Sequence, residues 1–326
     1  MSDRERDLDL LVIGELNPDI VVLGAPERAA FGQAETLVDG ISLTVGSSSA
    51  IAACGAARLG LHVAFVGVVG DDEFGRFLLR ALEDRGIEVA GCRVDPTLTT
   101  GASVILGRGD DRAILTAVGA IDALRASDVP LALFERARHV HVGSLYLQTA
   151  LRPGLADLLT AARAAGSTVS IDPNWDPTGR WAPLDDLLAV ADVCLLNLGE
   201  VHALTDEDEP RVGAAALAAT GRPGLTVVVK LGAEGALAVR GDQFARATAP
   251  RLDVVDTTGA GDSFDAGFIA GWTAGWTLDD CLELAVACGS ASTRRAGGVD
   301  GQPTWAEAVA LADAFGGTIP GERPIP

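Results

Sequence analysis

Short apolar runs alternate with amphipathic stretches from one end of the chain to the other, and this alternation constrains the fold more than any other feature. Runs of that length suit buried strands, and strands separated by helical stretches must be joined by crossovers, which makes neighbouring strands parallel. The strand candidates are Leu10–Ile13, Val63–Val68, His139–Val142, Thr168–Asp172, Val193–Leu196 and Thr226–Lys230. Helices are expected near Ser49–Leu59, Phe74–Arg85, Pro153–Ala165, Glu200–Thr205 and Gly213–Thr220, followed by a row of helices at Gly261–Gly271, Leu278–Arg294 and Thr304–Phe315. The expected class is α/β, a largely parallel sheet covered by helices.

Two stretches break the rhythm. Val21–Val45 and Val94–Ala117, the latter with β-type segments at Ala102–Leu106 and Ala113–Ala117, read as strands and turns that pair as a small sheet outside the main one. A lid is the natural role for such a sheet. No linker or repeat divides the rest, so a single domain over residues 1–316 is expected, with lid segments at 17–45 and 94–118 and a Gly- and Pro-rich C-terminal tail at 317–326.

Composition narrows the partners. With 45 acidic against 25 basic side chains the formal net charge is −20, and such a surface repels nucleic acid and anionic lipid. A small anion is still admissible where backbone N–H groups converge. Lys230 is the only lysine; every other basic position is arginine. Cys54, Cys92, Cys194, Cys281 and Cys288 are odd in number and lack metal-type spacing, so they are expected to be reduced and mostly buried. The apolar run after the charged N-terminus is too short for a signal-peptide core or a membrane span, which implies a cytoplasmic protein.

The strongest local signal is Asp256-Thr257-Thr258-Gly259-Ala260-Gly261-Asp262-Ser263-Phe264, which leaves an extended segment and enters a helix with Phe264, Phe268 and Trp272 four residues apart. Gly259 and Gly261 allow a tight turn, so several N–H groups at the helix start can converge on one anion. Asp262 then stands beside a phosphate-sized hole, where a carboxylate can orient and deprotonate a hydroxyl as phosphate is transferred to it. The plain alternative is an acidic residue favoured in a first helical turn by the dipole.

This segment resembles the C-terminal signature of the ribokinase-like sugar kinases of the phosphofructokinase-B type, and the resemblance runs from Gly14–Asp19 to Pro303. It implies a three-layer α/β/α core with a mainly parallel sheet and a small β lid, and an ATP- and Mg²⁺-dependent kinase acting on a sugar or sugar-like molecule. It places the catalytic base on Asp262 and the anion hole on the amides of Gly259, Ala260, Gly261 and Asp262. Asn197-Leu198-Gly199-Glu200 resembles the family's N-x-x-E motif, so Asn197 and Glu200 are expected to hold magnesium through water and to contact the ATP phosphates; alone, the pattern reads as a helix entry with an acidic first turn. Lys230, Gly232 and Gly235 fall on the segment that lies along the nucleotide, with an exposed lysine before a turn as the alternative.

On the acceptor side the resemblance is looser. Asp19 matches the family's acidic substrate contact and Asn17 lies beside it, while Gly46, Ser47 and Ser48 fall on the N-terminal signature. Relatives have a second glycine where Ser47 stands, and asparagines where Ile51 and Ile121 stand. Asp172-Pro173-Asn174-Trp175 resembles a D-x-N-x-R segment with the arginine displaced to Arg180, which makes Asn174 and Arg180 phosphate or substrate contacts or turn formers. Many relatives bind a monovalent cation, for which Asp256 and Thr258 are the candidates here, with K⁺ as the ion. Asp72 reads as a helix N-cap and His141 as a core residue. Three further readings stay open: a nucleoside acceptor, a cyclitol acceptor, and a non-catalytic sugar or nucleotide sensor. Monomer and homodimer are both open. A Walker-type loop is excluded because Lys230 follows valine, and a serine hydrolase lacks a histidine after His202.

Overall fold

All six residues of Leu8–Ile13 are buried, as happens in a strand whose sheet is covered on both faces. The computed structural model describes residues 6–28, 31–108, 111–317 and 319–320; the first five residues and residues 321–326 of the expected tail lie outside the described residues. In chain order the strands are β1 (Leu8–Ile13), β2 (Pro18–Leu23), β3 (Gly40–Val45), β4 (Val63–Val66), β5 (Val68–Gly70), β6 (Arg93–Asp95), β7 (Ala102–Arg108), β8 (Asp111–Ala117), β9 (Ala137–Gly143), β10 (Thr168–Asp172), β11 (Val193–Asn197), β12 (Thr226–Lys230), β13 (Ala236–Arg240) and β14 (Gln243–Ala247). The helices are α1 (Ser48–Leu59), α2 (Glu73–Glu83), α3 (Ala132–Arg136), α4 (Leu155–Ala164), α5 (Asp185–Leu188), α6 (Leu198–Thr205), α7 (Pro210–Thr220), α8 (Ala260–Thr273), α9 (Leu278–Ser292) and α10 (Trp305–Ala314).

The main sheet has eight strands in the order β14-β13-β12-β11-β10-β9-β1-β4. Six are parallel, from β4 to β12, and β13 and β14 add an antiparallel edge. Alternate side chains of β1 serve opposite cores. Leu11 and Ile13 pack with Leu155 and Leu159 of α4, Leu187 of α5 and Leu217 of α7. Leu10 and Val12 pack with Ala53 of α1, Ile269 of α8, Leu284 of α9 and Ala308 of α10. Helices therefore cover both faces, giving three layers. The parallel strands all release the chain at one edge, where Gly14, Ser144, Asp172, Asn197 and Lys230 stand, and open α/β sheets bind ligands at that edge.

The two interrupting stretches form a separate four-stranded sheet, β3-β2-β7-β8. Its register sets Asp19 opposite Ser103 and Ser103 opposite Thr116. Two sequence expectations need correction. The run Val63–Val68 is not one strand: a Cβ on Gly67 would lie 2.8 Å from the Gly14 carbonyl oxygen, the chain bends there, and β5 pairs with β6 in a two-stranded sheet. Arg93–Asp95 thus leaves the second stretch for that pairing. The β13–β14 hairpin was not anticipated, although its two-residue Gly241-Asp242 loop, with Gly241 at φ 56°, is a hairpin signal. In the stretch expected as tail, Ile319 is buried in the α1/α10 core. The five cysteines are unpaired and all but Cys92 are buried. Among the described residues no helix is long and apolar enough to cross a membrane.

Candidate active site

The start of α8 is built by glycine. Gly259 caps it at φ 70°, a left-handed value, and a Cβ there would meet the Gly298 backbone at 2.8 Å, so both conformation and space demand glycine. The Ala260 N–H is taken by the Thr257 carbonyl (3.2 Å), and the first helical bond runs from Ser263 N–H to the Gly259 carbonyl (2.9 Å). The N–H groups of Gly261 and Asp262 are left as the first-turn donors without a helical acceptor. Of the four amides expected to form the anion hole, Ala260's is thus already engaged within the turn.

Asp262 is buried, 8% exposed, and burial lifts its carboxyl pKa to about 7. Lys230 pulls it back, Asp172 and Glu15 push it further up, and a hydrogen bond with the Ser48 side chain favours the ionised form. Beneath it lies a group of charges. Lys230 Nζ donates to Asp172 Oδ2 at 2.6 Å and to the Asp265 oxygens at 3.1 and 3.2 Å. Carboxylate oxygens of Asp172, Asp262 and Asp265 lie within 4.8 Å of one another, a spacing fit for a metal ion, yet the ammonium is bonded to two of the three. Burial opposes the charge on Lys230, but Asp172 and Asp265 overcome it and hold its pKa well above the usual range. Burial also opposes ionisation of both carboxyls; Lys230 holds Asp172 below its ordinary value, whereas Asp265 stays well above its own.

The remaining polar groups meet around α1. Ser47, at φ 70°, caps that helix by accepting from Ala50 N–H (3.1 Å), and its hydroxyl donates to the Glu15 carbonyl (2.5 Å). The Glu15 carboxylate accepts from the hydroxyls of Ser49 (2.6 Å) and Ser144 (2.7 Å). Asn174, itself at φ 53°, accepts from the Ser144 N–H at 2.8 Å. Asp19 and Asn17 are buried; a Cβ on Gly46 would sit 2.1 Å from Asp19 Oδ1, and Asn17 Nδ2 lies 3.4 Å from Ser103 Oγ. Ser48 meets Asp262 directly, so Ser48 ties the base candidate to this acceptor-side group. Arg180 is different. Asp176 organises its turn by accepting from the N–H groups of Thr178, Arg180 and Trp181, and the exposed Arg180 guanidinium donates to Thr178 Oγ1 (3.1 Å). Among the described contacts it reaches none of the other candidates.

On the other side of the α8 start lies a cleft of about 400 Å³ lined by Lys230, Gly232, Gly235, Thr257, Ala260 and Gly261, with Leu252, Val254, Phe264 and Val286 as apolar walls. Gly235, at φ 97°, is also structural, since a Cβ would lie 2.0 Å from the Ala247 carbonyl oxygen. Asn197 and Glu200 close a capping box on α6: Glu200 oxygens accept from Asn197 N–H (2.8 Å) and Nδ2 (2.5 Å), and Asn197 Oδ1 accepts from Glu200 N–H (2.9 Å). Burial, with Asp172 nearby, lifts the Glu200 pKa to about 7. Asp256 Oδ1 accepts from the Thr258 N–H and hydroxyl, both at 2.8 Å, and Oδ2 from Gly297 N–H at 2.9 Å, so it joins the signature turn to the loop after α9. His141 is buried and paired with Ser170, and Asp72 caps α2, as the plain readings of both expected.

Sequence reasoning missed Glu15, Asp265 and the charge on Asp172. A charged residue at or just past the end of a fully buried strand was the available signal for Glu15 and Asp172. For Asp265 it was a carboxylate one turn after Asp262 on an otherwise apolar helix.

A family model described as pfkB family carbohydrate kinase matches residues 7–305. The chain is 30% identical over 307 residues to an ATP-dependent ribose-1-phosphate kinase of Halopiger xanaduensis, covering 94% of this chain and 99% of that protein. It is 34% identical over 272 residues to a fructokinase of Klebsiella pneumoniae, covering 79% and 88%. Among solved structures, an Arabidopsis thaliana ribokinase complexed with ribose and ATP matches with a TM-score of 0.80 at 25% identity, covering 94% and 98%. Helix-start geometry, three-layer sheet and these likenesses agree, and the chain belongs to the pfkB family of carbohydrate kinases.

Proposed function

We propose that this kinase moves the γ-phosphoryl group of ATP to a hydroxyl of a sugar-like acceptor with Asp262 as the general base. The observation that carries this is Asp262 itself: buried at the head of α8, beside first-turn N–H groups that have no helical acceptor, with a pKa of about 7. Such a carboxyl can take a proton at neutral pH and release it again. The acceptor oxygen forms a bond to the γ-phosphorus as the bond to the departing ADP oxygen breaks, and the hydroxyl proton passes to an Asp262 carboxylate oxygen. The N–H groups of Gly261 and Asp262 face the charge that develops on the phosphoryl oxygens. Asn17, Asp19, Gly46, Ser47, Ser48 and Asn174 border the acceptor side, and the cleft beyond Gly261 suits the nucleotide, with Lys230, Gly232 and Gly235 along its wall.

Magnesium would be held by Asn197 and Glu200. Both Glu200 oxygens already serve the capping box, which fits contact through water and not direct ligation. When bound, the ion neutralises charge on the phosphates. Potassium would sit by Asp256 and Thr258, where one carboxylate already gathers two chain segments. Unpaired thiols suit a reducing compartment and support a cytoplasmic site of action.

The relatives' printed activities include kinases for ribose 1-phosphate and fructose, so a coupled ADP-release screen over sugars, sugar phosphates, nucleosides and cyclitols identifies the acceptor. With that acceptor, Asp262→Asn is expected to lower kcat by about 10²–10⁴-fold while nucleotide binding stays near wild type. Turnover close to wild type in this variant would remove Asp262 from the base role.

A further inference from the structure

The chain's single lysine has no place in the reaction above except as part of a wall, yet its ammonium is bonded to two buried carboxyls. Its ammonium is 2.6 Å from Asp172 and 3.1 Å from Asp265, and its side chain is 13% exposed. Three elements converge to produce this: Lys230 ends β12, Asp172 ends β10 and Asp265 lies one turn into α8. The outer methylenes and Nζ pass 3.6–4.0 Å from the point where a Gly261 side chain would begin, so the charge lies directly under the turn that presents Asp262. A nucleotide phosphate would have to compete with two buried carboxyls for an ammonium they already enclose.

We infer that Lys230 is a positioning residue, the built-in counter-ion of the Asp172–Asp265 pair that governs the charge of Asp262, and not a ligand of ATP. The inference rests on Asp262 as the base. The groups that face Asp262 are Lys230 from β12, Asp172 from β10, Asp265 on its own helix, Glu15 after β1, Glu200 from α6 and the Ser48 hydroxyl from α1. Helix α9 meets the far side of α8 with the thiols of Cys281 and Cys288, against Gly271 and Gly267. Lys230 is the cation in that ring, and its pull on Asp262 exceeds the push of Asp172. Removing it must make Asp262 harder to ionise; removing Asp172 must make it easier.

The test compares Lys230→Met, Lys230→Arg and Asp172→Asn by the pH dependence of kcat/KM and by ¹³C NMR titration of the Asp262 carboxyl, which needs no turnover. Lys230→Met should move the acid limb and the carboxyl inflection up by about one pH unit, with activity recovering toward wild type at high pH. Lys230→Arg should restore the wild-type position. Asp172→Asn, whose amide oxygen can still accept from Asn174 N–H, should move both inflections down. Opposite shifts from two substitutions at one contact are not what loss of packing produces. An unmoved inflection in folded Lys230→Met, or a raised KM for ATP at constant pH profile, overturns the inference; so does an upward shift in Asp172→Asn should Lys230→Met not fold. If the NMR inflections move as expected while the acid limb does not, Lys230 governs Asp262 but Asp262 is not the base, which separates the two failures.

Discussion

At the scale of single residues, the site keeps a carboxyl where a carboxylate is costly. Asp262 has a pKa of about 7 in the folded protein against 3.8 for an unperturbed group, and burial is the main cause. The folded state therefore binds this proton more tightly than the unfolded chain does. The associated stability is present at low pH and is lost as pH rises from 3.8 through about 7. Above that window the charge is a standing penalty, which Asp262→Asn relieves. We expect that variant to be more stable than wild type at pH 8 by on the order of 2–4 kcal/mol, with the gain vanishing toward pH 4. Urea unfolding of both proteins across that range measures it, and an equal difference at every pH would mean that burial does not set this pKa.

Elements carry the second level of design. Helix α6 begins with a box in which Asn197 and Glu200 satisfy each other's backbone N–H groups, so the same pair can be read as structure or as chemistry. Glu200→Gln separates the two roles, because its amide oxygen can still accept from Asn197 N–H while the charge and the bond from Asn197 Nδ2 are gone. The helix should lose less than about 1 kcal/mol, whereas the Mg²⁺ concentration for half-maximal rate should rise several-fold at saturating acceptor. An unchanged magnesium requirement with altered stability would leave Glu200 as a cap alone. The sequence showed this element and its neighbours clearly: β1, β9, β10, β11 and β12 are short apolar runs, and the Gly259-Ala260-Gly261 turn announces its own geometry. It hid β13, whose Ala-rich alternation is weak, and the bend at Gly67, where the Gly14 carbonyl just past β1 leaves no room for a side chain. The charge group was illegible too. Lys230 is 58 residues from Asp172 and 35 from Asp265, and no local spacing links them. Arg180 fits the turn-forming alternative: its backbone N–H joins a turn closed by Asp176, and its guanidinium donates to Thr178.

At the scale of the whole molecule, general screening by salt and the proposed specific cation would act in two ways that can be told apart. A net charge of −20 repels itself at low ionic strength, so any salt that screens it should raise the melting temperature. The potassium ion proposed beside Asp256 would act differently, by ordering the turn that ends at Gly259 through the bonds to Thr258 and Gly297. Potassium and tetramethylammonium chloride at equal ionic strength should both raise the melting temperature by screening, potassium somewhat further because it binds the folded state, while only potassium raises turnover, by about two-fold or more. Equal rates in the two salts would show that Asp256 holds the turn unaided.

The enclosed Lys230 has a consequence outside catalysis. Reagents and enzymes that modify proteins at amines look for an accessible, unprotonated side-chain nitrogen. This chain offers one such nitrogen in 326 residues and keeps it protonated between two carboxyls. Amine-directed cross-linkers, acylating dyes and conjugating enzymes should therefore label Lys230 slowly in the native molecule, along the cleft that it lines, and faster once the strand ends come open.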